Sequence, residues 1–204
     1  MNRTWIIYLG IVATVVASSI GLVFIPDTAL FALEPVRLES GELRPIRPEG
    51  EIEMGREVYV DMGCLYCHTK QVRPPGFGAD IDRGWGLRRS IPRDYIHDRP
   101  HLLGTMRTGP DLHNIGQRQP DANWHHIHLY QPELTSPGSN MPPHRFLYRR
   151  VRIDPGAQPP AGALRMPDGA LGQDEYLVPT ARAANLVAFL LSLDHSYQEP
   201  EETP

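Results

Sequence analysis

The sequence predicts a mainly α-helical protein: one N-terminal transmembrane helix, then a domain whose helices are joined by long loops. Three observations carry this. Residues Trp5 to Ile25 hold no charged side chain. Two later stretches, one beginning near Glu51 and one over Ala181 to Leu193, place apolar residues at helical spacing. The 21 prolines and 18 glycines among 204 residues favour loops over dense secondary structure. A net charge of -4 gives no basic footprint for a nucleic-acid partner, and a hydrophobic fraction of 41% is that of an ordinary folded chain.

The first element lies between Arg3 and Asp27. At about 1.5 Å per residue its apolar run spans roughly 30 Å, the hydrocarbon thickness of a bilayer. Trp5 and Tyr8 near one end suit the membrane interface. A cleaved signal peptide ending at Ala17-Ser18-Ser19 is the alternative. The run outlasts a signal core of ~7–15 residues, however, continuing through Ile20, Leu22, Val23, Phe24 and Ile25. The expected anchor is residues 4–26, crossing the cell membrane once. Arg3 and the amino terminus favour a cytoplasmic start, which places the remaining chain on the outer, periplasmic side. Residues 27–50, with Pro35, Pro45 and Pro48 among alternating charges, read as an extended linker.

The helix beginning near Glu51 carries Ile52, Val58, Tyr59 and Met62 as a partial apolar stripe, with Gly55 allowing a second helix to approach closely. It leads into Cys64-Leu65-Tyr66-Cys67-His68, which contains both cysteines of the chain. A C-x-x-C-H run is the attachment pattern for c-type haem. On a helical turn Cys64, Cys67 and His68 fall on one side. Two thiols there can form thioethers to the two vinyl groups of one porphyrin, and the histidine can bind the iron from the proximal side. A zinc site would need a second ligand pair, and a redox dithiol normally adjoins a βαβ pattern. Neither is visible. With both cysteines used, none remains for a disulfide, so one covalent haem c is the expected cofactor.

Thr69 to Pro100 reads as an ordered loop with short helical turns. Its arginines (73, 83, 88, 89, 93 and 99) read mostly as a solvated or partner-facing surface, although an arginine near a haem can pair with a propionate. Trp85 reads as a packing residue. In Arg107-Thr108-Gly109-Pro110-Asp111-Leu112, the Pro110 carbonyl is a candidate acceptor for the second N–H of a metal-bound imidazole. An ordinary Gly-Pro turn explains the same residues equally well. Asp121 to Pro132 reads as a helix with Trp124 and Leu129 packed around the haem. His125, His126 and His128 lie at i, i+1 and i+3, which do not converge on one ion.

A six-coordinate electron-transfer haem needs a distal ligand, and methionine raises its potential. Met54 and Met62 sit too close to the cysteines to cross the ring. Met141, in Ser139-Asn140-Met141-Pro142-Pro143, is far enough downstream to return from the opposite face. Pro142 stiffens its loop, and Asn140 offers a donor to steady the sulfur. Met166, in Arg165-Met166-Pro167, is the rival. From Arg149 to Pro179 the chain reads as a Pro-, Gly- and Ala-rich loop. Thr180 then caps the last helix, which crosses the first near Gly55 with Phe189 against Tyr59. The tail, residues 197–204, reads as flexible.

The order of helix, C-x-x-C-H, Gly-Pro turn, Met loop and C-terminal helix resembles a class I-like c-type cytochrome, here over residues 51–196. A narrower resemblance rests on Tyr59 to His68 (YVDMGCLYCH), Gln71-Val72-Arg73-Pro74, Arg107 to Leu112 (RTGPDL), Trp124 to Leu129, and Ser136-Pro137-Gly138-Ser139-Asn140-Met141-Pro142. These are similar to the monohaem subunit, subunit II, of cbb3-type cytochrome c oxidases. The resemblance covers most of residues 55–148, and the anchor by position. It implies haem attachment at Cys64 and Cys67, His68 as proximal ligand and Met141 as distal ligand. It also implies a catalytic haem–copper oxidase subunit and other c-type cytochrome subunits or donors as partners, with electrons passed to the catalytic subunit. Pro143 to Leu147 depart from the family's tyrosine-tryptophan pattern, and Arg149 to Pro179 have no counterpart. An electron-donor subunit of a nitric oxide reductase-like complex, a free-standing anchored shuttle, and a haem sensor with an open distal side stay open beside the leading reading. No acid–base pair or nucleophile stands out, so the chain by itself is not expected to be an enzyme.

Overall fold

A computed structural model describes residues 3–154, 156–164, 166–167, 169–172 and 174–198. The chain divides into two compact units, one of residues up to Ile46 together with Ile91–Arg99, the other of Arg47–Ser90 and Pro100–Gln198.

In the first unit, α1 (Thr4–Ser19), a π-helical turn (Ile20–Phe24) and α2 (Ile25–Phe31) run on as one apolar helix, Thr4–Phe31, of 28 residues and mean hydropathy 2.3. That length and composition are enough to cross a membrane. The wide π turn falls beside Pro26, whose missing N–H and ring disturb the regular hydrogen-bond ladder at that point. The helix runs on to Phe31, past the expected end of the anchor at residue 26, with Pro26 in its first turn, where a missing N–H is tolerated. The expected linker therefore begins as helix. It continues as a small antiparallel ribbon, β1 (Val36–Arg37) against β2 (Leu43–Arg44). Residues 91–99 add a 3-10 turn, Pro92–Tyr95, in which the Asp94 carboxylate accepts the Ile91 N–H at 3.0 Å. Arg93 donates to the Glu34 carbonyl (2.5 Å), and the Arg99 guanidinium lies 3.3 Å from the Phe31 ring centroid.

The second unit is built on a helix crossing. α3 (Glu51–Asp61) packs on α6 (Ala181–Ser192). Gly55 sits at the crossing, where a Cβ would meet the Asn185 carbonyl oxygen at 1.9 Å, so only glycine lets the backbones approach. Tyr59 and Phe189 pack there at 5.4 Å between ring centroids, as their helical positions predict. Leu186, Val187 and Leu190 extend the buried face, each such side chain contributing about 1.5–3 kcal/mol of transfer free energy. Thr180 caps α6 by accepting the Ala183 N–H at 3.4 Å. Two shorter helices, α4 (Ile115–Arg118) and α5 (Ala122–Tyr130), also contact α6, and Asp121 caps α5 through Asn123 N–H at 2.9 Å.

The region expected as loop from Arg149 to Pro179 contains a second ribbon, β3 (Tyr148–Arg152) antiparallel to β4 (Glu175–Pro179), with Tyr148 opposite Pro179. Leu177 and Val178 on β4 are buried, so burial supplies the pairing that the intervening prolines and glycines obscure in the sequence. Arg165, the neighbour of Met166, lies outside the described residues. Tyr197, first residue of the expected tail, is buried, and its carbonyl accepts a hydrogen bond from Arg88 at 3.0 Å. Residues 199–204 lie outside the described residues.

Candidate functional site

The Cys64–His68 run follows α3 directly. After Gly63, whose φ of +70° turns the chain out of the helix, Cys64–Tyr66 form a 3-10 turn. The N–H groups of Cys67 and His68 both donate to the Cys64 carbonyl, at 3.2 and 3.0 Å. The two cysteines form no disulfide. Burial pushes the Cys64 thiol up to about 11, with a backbone hydrogen bond opposing and the Cys67 charge adding to it.

The next wall is brought in from Arg107–Leu112. His68 Nδ1 lies 2.8 Å from the Pro110 carbonyl oxygen. A carbonyl can only accept, so Nδ1 carries the proton and Nε2 the lone pair. Burial lowers the His68 pKa, against the Pro110 hydrogen bond and the Asp111 charge, which keeps the ring neutral. Gly109 lies against this imidazole so closely that a Cβ would come within 2.3 Å of Cε1. Its N–H donates to the Cys67 carbonyl at 2.9 Å.

A polar lattice behind this wall was not legible in the sequence. Arg107 donates to Thr69 Oγ1 (2.7 Å), to the Gln71 carbonyl (2.6 Å) and to Asp80 Oδ1 (2.5 Å). Asp111 accepts from the Thr69 hydroxyl (2.6 Å) and the Gln71 N–H (2.8 Å), and stands 3.5 Å from Arg107. Both carboxylates are buried. Burial alone would raise the Asp80 pKa, but the hydrogen bonds and charges of Arg107 and Arg73 outweigh it and hold the group below the usual carboxylate range. The available signal was the i, i+4 spacing of Arg107 and Asp111 around Gly-Pro, which reads equally as a turn.

The remaining walls come from α5, α6 and the Ser136–Pro142 loop. They enclose a cavity of about 340 Å³ lined by Cys64, Cys67, His68, Pro110, Asn140 and Met141, with Trp124, His128 and Leu129 of α5 and Leu186 and Leu190 of α6. Met141 is half-buried and packs against the core, with its N–H 3.2 Å from Ser139 Oγ. Met166 also packs against the core but is not among the residues lining the cavity. The histidines of α5 separate: His125 Nε2 pairs with the Gln119 carbonyl (2.8 Å), His126 Nδ1 with the Tyr148 hydroxyl (3.1 Å), and His128 Nδ1 with Thr135 Oγ1 (2.6 Å). Among the described residues, no cluster of three or more His, Cys, Asp or Glu side chains could hold a metal ion.

The donor set fits a c-type haem. Two thiols and an imidazole with a bare Nε2 stand at one apolar cavity, and a thioether lines the same space. The glycine against His68 is the cradle such a ring needs, because any side chain there would displace the imidazole.

A family model described as cytochrome C oxidase, mono-heme subunit/FixO matches residues 2–158 of the chain. No curated protein matches it.

Proposed function

The chain belongs to the mono-haem subunit family of cytochrome c oxidases, and on that premise we propose that it is a membrane-anchored electron relay to the catalytic haem–copper subunit of a cbb3-type oxidase. The family carries electron transport by a haem-bearing cytochrome c, and the apolar helix Thr4–Phe31 fits a membrane anchor. Residues 4–26 anchor the chain, and residues 51–196 form a class I-like cytochrome domain on the periplasmic side. The haem is covalently held. The chain is not an enzyme by itself.

The observation that carries this reading is the cavity where Cys64, Cys67, His68 and Met141 meet. Cys64 and Cys67 would hold the haem through thioethers, His68 Nε2 would bind its iron, and Met141 would occupy the other side. The haem, when bound, supplies a one-electron iron couple. The chain's own residues do the rest. Pro110 orients His68 and keeps its Nδ1 protonated. Leu129, Leu186 and Leu190 exclude water from the cavity. Pro142 limits the freedom of the Met141 loop, and Asn140 offers a donor toward the sulfur.

Purification in detergent tests the reading. The haem should resist acid–acetone extraction, and a haem–copper subunit should co-purify. Extractable haem, or a nitric oxide-reducing partner in its place, would overturn the corresponding part. Met141→Leu should abolish the sulfur-to-iron charge-transfer band of the oxidised protein. If Met166→Leu abolishes it instead, the distal ligand is Met166.

A further inference from the structure

Pro110 has no N–H, so the aim of its carbonyl at His68 Nδ1 depends on what holds its two neighbours. On one side the Gly109 N–H donates to the Cys67 carbonyl at 2.9 Å, and further on the Leu112 N–H donates to the Thr69 carbonyl at 2.8 Å. Between them stands Asp111, whose exposure is 0%. Its side chain laces the same two segments together. Oδ2 accepts the Thr69 hydroxyl at 2.6 Å and the Gln71 N–H at 2.8 Å, and Oδ1 accepts the His113 N–H at 2.9 Å. The Thr69 hydroxyl in turn accepts from Arg107 Nε at 2.7 Å. Asp111 is thus the residue after Pro110, and its nearest side-chain partner is the residue after His68.

These partners all donate to Asp111, the pattern that an ionised carboxylate accepts. The cations beside it include Arg107, 3.5 Å from Oδ2 and shared with Asp80, and Arg118, which donates to the Asp111 carbonyl oxygen. The negative charge of Asp111 is felt at His68, where it opposes the effect of burial. A buried carboxylate with three donors stabilises the fold whatever it does for His68. A role toward the imidazole therefore has to be read in a quantity that stability does not move.

We propose that Asp111 is a positioning residue for the relay: through Thr69 and Gln71 its carboxylate clamps the Pro110 carbonyl onto the Nδ1 proton of His68, and so sets the reduction potential. A firm hydrogen bond from Nδ1–H makes the imidazole a more basic ligand. A more electron-rich ligand favours oxidised iron, and hydrogen bonding behind an axial ligand is one of the means by which a protein tunes its haem. Loosening the clamp weakens that bond and raises the potential. Asp111 acts through Pro110 and Thr69, not by contact with the haem. The inference rests on the haem reading above, with His68 as proximal ligand.

The test uses the full-length haem-loaded protein in detergent, as wild type, Thr69→Val, Thr69→Ser and Asp111→Asn. Potential is read by redox titration and stability by the denaturant midpoint. Thr69→Val removes one link but keeps the charge of Asp111, and should shift the potential upward. Asp111→Asn weakens the links and removes the negative charge, and should shift it further in the same direction. Thr69→Ser restores the hydroxyl and should return the potential to the wild-type value. Where Asp111→Asn fails to fold or to load haem, the Thr69 pair decides. A wild-type potential in Thr69→Val and Asp111→Asn, with a lowered denaturant midpoint, means a structural role alone and overturns the proposal. A shift in Asp111→Asn with none in Thr69→Val means that the charge acts without positioning, and overturns it too, as does a downward shift or a Thr69→Ser protein that keeps the valine value. Haem that acid–acetone extracts from the wild type, or an absorption spectrum unchanged by His68→Ala, removes the premise and the proposal with it. Those two results are distinguishable because they are seen before Thr69 or Asp111 is altered.

Discussion

On the His68 side of the cavity, the hydrogen bonds of His68, Arg107 and Asp111 to partners on Thr69, Gln71, Asp80 and Pro110 join residues 27 to 42 positions apart, whereas the Met141 loop is held mainly by bonds between residues two to four positions apart. The first set is charge-assisted at Arg107, Asp80 and Asp111, and such bonds contribute about 1.5–3 kcal/mol each, against about 0.5–1.5 for neutral ones. The second set is neutral and partly exposed, with His144 N–H to the Leu129 carbonyl as its long link. One ligand wall is therefore a tertiary structure and the other a local loop. The difference teaches which wall should be costly to disturb and which should yield at little cost.

The largest effect should come from breaking the stronger wall at its centre. Arg107→Ala removes the guanidinium that pairs with both buried carboxylates, Asp80 and Asp111, and should cost about 3–5 kcal/mol in denaturant unfolding. Gly109→Ala comes next. The new Cβ would collide with the His68 ring, and overpacking of this kind costs typically about 1–3 kcal/mol. On the proposed reading of His68 as the proximal ligand, its distinctive readout is a change in the haem spectrum, which a surface substitution would not produce.

Acid should weaken the same wall. The Asp80 pKa lies below its ordinary value in the folded protein, so the folded state binds fewer protons than the unfolded chain as pH falls. The stabilisation is fully present above the unfolded carboxyl pKa, near 3.9, and is lost as pH drops through the lower folded value. Unfolding midpoints measured across that window should fall, and Asp80→Asn should flatten the slope. The smallest effect belongs to the other wall. Ser139→Ala removes one bond at 3.2 Å to a half-buried loop, and should cost about 1 kcal/mol or less. If it destabilises the fold as much as Arg107→Ala, the contrast between the walls is wrong.

Much of this architecture was legible because it is written in short spacings. The crossing of α3 and α6 follows from Gly55, Tyr59 and Phe189, each on the apolar face of its own helix. The Thr180 cap follows from a hydroxyl placed one position before α6. The β3–β4 ribbon was hidden because its strands pair Tyr148 with Pro179 across a long Pro- and Gly-rich excursion, and no local period announces such a pairing. The helix beyond residue 26 was hidden by Pro26 and Asp27, which are ordinary helix-ending signals but here stand in the first turn of α2.

The sequence by itself determined the C-x-x-C-H run at Cys64–His68, an apolar N-terminal helix long enough to cross a membrane, and a proline-flanked methionine, because each is a local pattern. Tertiary structure decided which ring nitrogen of His68 carries the proton, which carboxylates the Arg107 guanidinium meets, and that Met141 lines the cavity while Met166 packs outside its lining. Those outcomes depend on acceptors and walls supplied from distant positions, and a hydrogen bond or a cavity exists only once the chain has brought its two sides together.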